Sequence, residues 1–410
     1  ALTAPDYARL HESCLLKQVF VYQLEFDVSQ TTQAVRVGDI ITNAASASVP
    51  GTRAAVVVED AASAADFVKV VQIVGLASAW TVSEAVKRRR GMDSAGLWVD
   101  LSMGLLDAAT PEGVNVGVAW KPYSQHEVTF DITATWGGSG VPAEGENIRV
   151  TSGGNVVAEL LYIRDETATR INAEPLWSSD PAGIPDGATL STTDGSTAIV
   201  DTPSLIGQIQ GKRLTILSNR DRLKRPLIGA ASNYSLAGDA GAASRLAFEH
   251  KGKPGDPTDA AHQTGAVFSV QTPPRLTGDD GFVYVDGIPI PIKSYAHTVG
   301  NSVVMSPNAN ESEGDAYALI AGRDPELSLN VDQLGVGGFD WWEKWKNARN
   351  IQVGLKAGTT AGNTLVLCAT AGQVESITDD DTDGIATHTP LLRLRKYDAD
   401  GDNEFILAHL

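Results

Sequence analysis

The sequence predicts an all-β protein with minor α, an antiparallel β-sandwich flanked by one helix and carrying small inserted β modules. Three observations lead there. Apolar residues recur with period two in many short runs, the spacing of half-buried strands. Turn residues separate those runs, with 40 Gly in 410 residues. One segment near the C-terminus carries aromatic residues at helical rather than strand spacing.

In chain order, the first half comes as two similar stretches. Phe26-Asp-Val28 precedes Val37-Gly-Asp-Ile-Ile41 and strands at 54–58 and 67–75. Phe130-Asp-Ile132 precedes Gly145-Glu-Asn-Ile-Arg-Val150, a strand at 156–163 and a shorter one near 170–177. Each stretch offers an apolar start, a Gly-acid hairpin entry and alternating strands, as two related modules would. Convergent strand-and-turn grammar without duplication fits the same pattern. The resulting division is a domain of 1–25 with 195–410, a first inserted module at 26–125 and a second at 126–194.

Beyond the modules, Arg213-Leu-Thr-Ile-Leu217, the turn Asn219-Arg-Asp221 and Leu223-Lys-Arg-Pro-Leu-Ile228 read as a hairpin, and 234–249 as another turning at Gly238 and Gly241. Leu327, Leu329 and Val331 alternate with polar neighbours as one strand, and Gly335-Val-Gly-Gly338 breaks it. Asp340 is placed to cap a helix, with Glu343 three residues on. Phe339, Trp342, Trp345 and Ala348 then fall on one apolar face of a helix over 339–349, so both tryptophans are expected to pack on a sheet. A strand at 364–369, a turn at Asp379-Asp-Asp-Thr-Asp-Gly384, a strand ending Leu392-Arg-Leu-Arg395, a turn at Asp398-Ala-Asp-Gly-Asp402 and a last strand at 405–410 complete the chain.

The order of these C-terminal pieces resembles the major tail tube proteins of long, flexible-tailed bacteriophages. The matching residues are Arg323 and Pro325, Trp341 to Ala348, Gly358-Thr-Thr-Ala-Gly-Asn363, Asp383-Gly-Ile385 and Gly401-Asp-Asn-Glu-Phe405. Upstream, the 204–228 and 234–249 hairpins, Pro254-Gly-Asp-Pro-Thr-Asp-Ala260 and Ala4-Pro-Asp-Tyr-Ala-Arg-Leu-His-Glu-Ser-Cys14 are similar to the family's hairpins, exit loop and early helix. The chain departs from the family in starting almost at that helix and in carrying extra sequence between Glu25 and Asp194. The resemblance implies a tail-tube fold and a homo-oligomer of six-membered rings stacked into a tube. It further implies a tape measure protein and transiting genomic DNA in the lumen, and tail terminator and distal tail proteins at the ends. The place would be the virion, after assembly in the host cytoplasm. The inserted modules would lie outside the tube, because the lumen must admit duplex DNA. Asn219, Arg220, Asp221 and Arg222, with Asp279 and Asp280, are the candidates for contacts between rings.

Charge and motifs bound the chemistry. The formal net charge is −18, the reverse of a surface built to grip phosphates. It serves solubility, or a lumen wall that repels DNA. Lys87-Arg-Arg-Arg90 is the one basic cluster and reads as a solvated turn or a subunit contact. No run of eighteen apolar residues suggests a membrane span, and Ala1-Leu-Thr reads as a start after loss of the initiator methionine rather than a signal peptide. Cys14 and Cys368 sit in apolar contexts and read as two buried thiols. Gly207-Gln-Ile-Gln-Gly-Lys212 is one residue short of a phosphate loop and lacks the following Ser or Thr. The seven His residues lack zinc-helix spacing. In the run Asp398, Asp400, Asp402 and Glu404 the Gly stands fourth rather than sixth, unlike a calcium loop. No catalytic, metal or cofactor set emerges. A structural tube subunit is therefore the first expectation. A carbohydrate- or receptor-binding β protein using exposed Trp80, Trp136 and Trp177 is the second, and a paired-carboxylate glycosidase the third.

Overall fold

A computed structural model describes residues 14, 16–26, 34–43, 53–62, 65–74, 80, 83–106, 112–122, 128–133, 135–138, 140–142, 147–167, 170–178, 187–192, 195–200, 214–220, 223–259, 275–277, 281–307, 309, 314–333, 335, 337–360, 363–382, 384–398 and 403–410. Contacts divide the chain into two compact units, one of 1–122 with 212–410 and one of 123–211. The early-helix resemblance at 4–13 and the phosphate-loop look-alike at 207–212 lie outside the described residues.

The first unit begins with a small barrel. Its strands are β1 (Leu16–Glu25), β2 (Ile40–Thr42), β3 (Ala54–Val57), β4 (Phe67–Val74), β5 (Ala85–Met92) and β6 (Trp98–Leu105). They pair antiparallel in the order β1-β4-β3-β2-β5-β6. A bridge between Phe26 and Leu106 returns the last strand to the first. Period-two spacing sends Tyr22, Leu24 and Phe26, Ala55 and Val57, and Val68 and Val70 into one interior, which Trp80, Val86 and Met103 fill. Closure protects short strands whose edges would otherwise be exposed.

Next comes a sandwich. β7 (Glu112–Pro122) pairs with β1 on one side and with β27 (Phe405–His409) on the other. A central sheet continues from β27 through β25 (Leu365–Thr382) and β24 (Asn350–Ala357) to β18 (Gly281–Val285). β25 changes sheets along its length. Leu365 to Ala369 pair with β27, whereas Gly372 to Thr382 pair with β26 (Ile385–Leu394). From β26 a second sheet runs through β23 (Glu326–Asp332), β20 (Ile292–Thr298) and β15 (Leu223–Asp239) to β16 (Arg245–Pro254). The short β19 (Ile288–Pro289) pairs with β18, and β21 (Asn301–Pro307) with β22 (Asp315–Arg323) as a separate hairpin. The turn expected at 379–384 is shorter than predicted, because β25 carries its ladder to Thr382.

Burial follows from this layering. β23 alternates, with Leu327, Leu329 and Val331 in the sandwich core and half-buried polar residues between them. β24 is buried almost throughout, because one face meets the sandwich core and the other meets the barrel. On that second face Val366, Cys368, Ile406 and Ala408 pack with Ile40, Val56, Val71 and Ile73. The approach is close enough to need glycine on both sides. A Cβ on Gly354 would overlap the Val37 carbonyl, and one on Gly38 would lie 2.8 Å from the Gly354 nitrogen. Burying both faces of β24 against apolar partners stabilises by about 25 cal/mol per Å² of apolar area.

The second unit repeats the barrel's connectivity. β8 (Val128–Asp131), β9 (Asn147–Ser152), β10 (Asn155–Thr167), β11 (Arg170–Ser178), β12 (Thr189–Thr192) and β13 (Thr197–Ile199) pair in the order β8-β11-β10-β9-β12-β13. A bridge between Ile132 and Val200 closes the ring. Strand for strand this is the order of the first barrel. Phe26 and Ile132 hold the same closing position, so the sequence match of Phe26 with Phe130 is two residues out. A shift of two keeps every side chain on its face, which is why the pattern still reads as a repeat. Ile148, Val150, Leu160, Tyr162, Ile171 and Leu190 fill this second interior. Its β9–β10 turn uses Gly153 and Gly154 at φ 58° and 82°, the left-handed pair a two-residue hairpin requires.

The unit boundaries differ from the sequence division in two respects, the first being that 195–211, with β13, belong to the second unit and not with 1–25. The 126–194 module lies inside the second unit, but residues 26–122 share a unit with 212–410. The cause is β1, which serves the barrel through β4 and the sandwich through β7.

Candidate functional site

The second sheet of the sandwich has an open face. In-register neighbours on it are Ser235 with Thr298, Ala237 with Ala296, Ser294 with Asn330, and Ala296 with Ser328. All are exposed or half-buried, and all are small or uncharged. Two of the cations on or beside this face are held by carboxylates, whereas Arg245, in register with Ala237, and Lys251 are exposed at the β16 edge. Arg393 pairs with Asp324, with Glu326 at 3.4 Å and with Glu375 at 2.7 Å. Lys293 lies 3.5 Å from Asp332. The centre of such a face offers smooth, weakly interacting polar surface, with Arg393 and Lys293 neutralised by their carboxylates. At its edge, β16 pairs only with β15 among the described residues, leaving a ladder edge free to pair.

Two hairpins project from this sheet. β14 (Leu214–Arg220) pairs with the first half of β15, and β17 (Thr258–Asp259) pairs at the far end of that half. From 214 to 229 no described side chain is buried, although Leu217 is 49 % exposed and Ile228 46 %. The ribbon thus presents apolar residues without a core beneath either face. Asn219 and Arg220 fall at its end by backbone position. Asp221, Arg222, Asp279 and Asp280 lie outside the described residues. The other hairpin, β25–β26, ends in exposed Asp379, Asp380 and Asp381.

Beside that second hairpin sits α1 (Trp341–Lys346). Asp340 caps it as expected, its carboxylate accepting from the Glu343 N–H at 2.9 Å. Glu343 turns its own carboxylate to Asn347 and Arg349. The predicted apolar face requires correction. Phe339 is buried, but Trp342 and Trp345 are 37 % and 42 % exposed, and Ala348 is an exposed residue past the helix end at φ 48°. The buried tryptophan is Trp341, 2 % exposed and packed on Phe339 at 4.6 Å between ring centroids. Phe339 precedes the cap and is not in the helix, so a wheel counted from it selects the wrong face. Trp342 and Trp345 instead meet edge to face at 6.0 Å, and the Trp345 indole donates to the Glu375 carbonyl. His388 borders Trp342 at 6.3 Å.

The basic cluster is also corrected. Lys87 to Arg90 lie in β5 rather than in a turn, and Arg88 and Arg89 are buried. Arg89 grips Asp100 through two bonds of 2.8 and 2.9 Å and donates to the Tyr397 hydroxyl at 2.9 Å. Arg90 pairs with Asp39. The neighbouring Lys344 reaches Asp286 at 3.1 Å and the Met92 carbonyl at 2.6 Å, fastening the barrel to the sandwich. Burial pushes the Asp286 carboxyl up, opposed by Lys344. The arginines were legible as a basic run, but Asp39, Asp100 and Tyr397 carried no local sign of pairing with them.

Among the described residues no group of His, Cys, Asp and Glu could hold a metal ion. Cys14 and Cys368 are buried thiols that form no disulfide, as the sequence led us to expect, and burial pushes the Cys368 thiol up. Asp398 accepts from Asn403, while Asp400 and Asp402 lie outside the described residues. Trp80 and Trp136 are buried inside their barrels. The Trp177 side chain lies outside the description. Among the described residues no helix is long and apolar enough to cross a membrane. No protein-family model matches the chain, and a search of curated proteins finds no significant match.

Proposed function

We propose that the protein is the structural subunit of a bacteriophage tail tube, forming stacked six-membered rings around a lumen that passes DNA. The observation that carries this reading is the open face of the second sheet. On this reading that face lines the lumen. Its central Ser, Ala, Thr and Asn side chains offer DNA no cationic grip, the carboxylate-bound Arg393 and Lys293 add little phosphate affinity, and the exposed cations Arg245 and Lys251 stand on the edge strand β16. The free edge of β16 supports pairing of sheets across subunits, which closes an inner barrel and removes the edge. The tape measure protein would fill this lumen before DNA, and terminator and distal proteins would cap its ends. The burial of Trp80 and Trp136 removes two of the three tryptophans on which the sugar-binding alternative was based. Negative-stain electron microscopy of the purified protein tests the proposal. Hollow stacked rings are the expected result, and a monodisperse monomer at high concentration would overturn it.

A further inference from the structure

The two projecting hairpins are complementary. The described part of the β14 and early β15 ribbon carries the cations Lys224 and Arg225 and no carboxylate of its own, in a chain whose net charge is −18. Its apolar residues Leu214, Ile216, Leu217, Leu223, Leu227 and Ile228 are all exposed or half-buried. The β25–β26 tip and α1 present the converse. Asp379, Asp380 and Asp381 are exposed there, beside Trp342, Trp345 and Ile385, the last 54 % exposed. Exposed tryptophans held by neighbours, as Trp345 is by Glu375 and Trp342 by His388, supply contact area at low entropic cost and dominate interfaces energetically.

We infer that the β14–β15 ribbon of one copy docks on the Trp342, Trp345 and Asp379 to Asp381 surface of a second copy of this chain. This rests on the self-assembly of the proposed function and names the two surfaces that meet. A second copy is the occupant because it brings both what the ribbon lacks, negative charge with aromatic cover, and what the tip lacks, positive charge with aliphatic cover. Oppositely charged patches steer encounter and fix register, while the apolar residues hold the contact. The contact is head-to-tail, since the two surfaces differ, and it therefore propagates from copy to copy.

Two charge-reversed proteins test it, one with Lys224→Glu and Arg225→Glu, the other with Asp380→Lys and Asp381→Lys. All four positions are exposed or half-buried, so circular dichroism and urea midpoints should match wild type. Each variant alone should raise the concentration for assembly, followed by light scattering and sedimentation, by roughly a hundredfold. Mixed one to one, the variants should assemble again, because the intact ribbon of one meets the intact tip of the other and the two reversed surfaces are themselves opposite in charge; a mixture that stays unassembled would count against the charge pairing. Trp345→Ala should weaken assembly as well. Wild-type-like assembly by either reversed variant would overturn the docking while leaving self-assembly in place. A wild type that stays monomeric would overturn the assembly reading and the docking with it.

Discussion

Trp341 and Trp345 are four residues apart on one short helix and should respond very differently to truncation. Trp341 is 2 % exposed among Phe339 and the sandwich core. A buried tryptophan removes about 150–250 Å² from water, which at about 25 cal/mol per Å² is about 4–6 kcal/mol. Large-to-small deletions of this kind cost about 3–5 kcal/mol, so Trp341→Ala should destabilise the first unit by about 4 kcal/mol. The Trp341 indole nitrogen is buried without a hydrogen-bond partner. Trp341→Phe therefore gives up area but no bond, and should cost only about 1 kcal/mol. Trp345→Ala gives up a ring that is 42 % exposed and one bond of 3.0 Å to Glu375, about 1–2 kcal/mol. Urea unfolding followed by near-ultraviolet circular dichroism reads all three. With a slope of about 2 kcal/mol per M, Trp341→Ala moves the midpoint by about 2 M and Trp345→Ala by under about 1 M. Equal shifts, or a larger one for Trp345, would refute the assignment of Trp341 as the anchor.

Two further outcomes follow from buried polar groups. Asp100→Ala strands the fully buried Arg89 guanidinium and should cost about 3–5 kcal/mol, whereas Arg89→Met with Asp100→Leu should cost less than either partner's removal alone; a double-mutant cycle with no coupling would contradict the pairing. Burial lowers the His297 pKa to about 4 from its ordinary 6.5, with the Glu326 carbonyl opposing, and the Tyr234 hydroxyl lies 3.1 Å from its Nε2. The unfolded chain binds that proton first, so the stability is whole above about pH 6.5 and is lost, by about 3 kcal/mol, as pH falls toward 4. His297→Gln should flatten that part of the urea-midpoint profile, and an unchanged slope would show that His297 is not its source.

The parts of the fold read directly from sequence are those set by local pattern. Alternation at Leu327, Leu329 and Val331 marks a half-buried strand because side chains in a strand alternate faces, whatever lies opposite. Asp340 caps α1 because a carboxylate there satisfies a free amide within its own turn. The repeated barrel was visible as repeated strand spacing, since spacing survives where residue identity does not. Of the candidate assembly surfaces, the ribbon at 219–222 was legible as a polar turn between alternating strands. The open face is written locally only in the alternating Ser294, Ala296 and Thr298 of β20.

What the tertiary structure decided depends on partners far away in the chain. Whether Trp341 or Trp345 is buried turns on where the helix begins relative to the sheet beneath it, and a displacement of one residue rotates the helix by about 100°. Three consecutive arginines look like a solvated cluster until Asp100 is brought to Arg89, Asp39 to Arg90 and the Ala34 carbonyl to Arg88, because a buried cation is tolerable only when it finds partners. β1 belongs to barrel and sandwich alike, a role fixed by the strands on its two edges. Local sequence sets which face of an element is apolar, and only long-range pairing sets what that face meets.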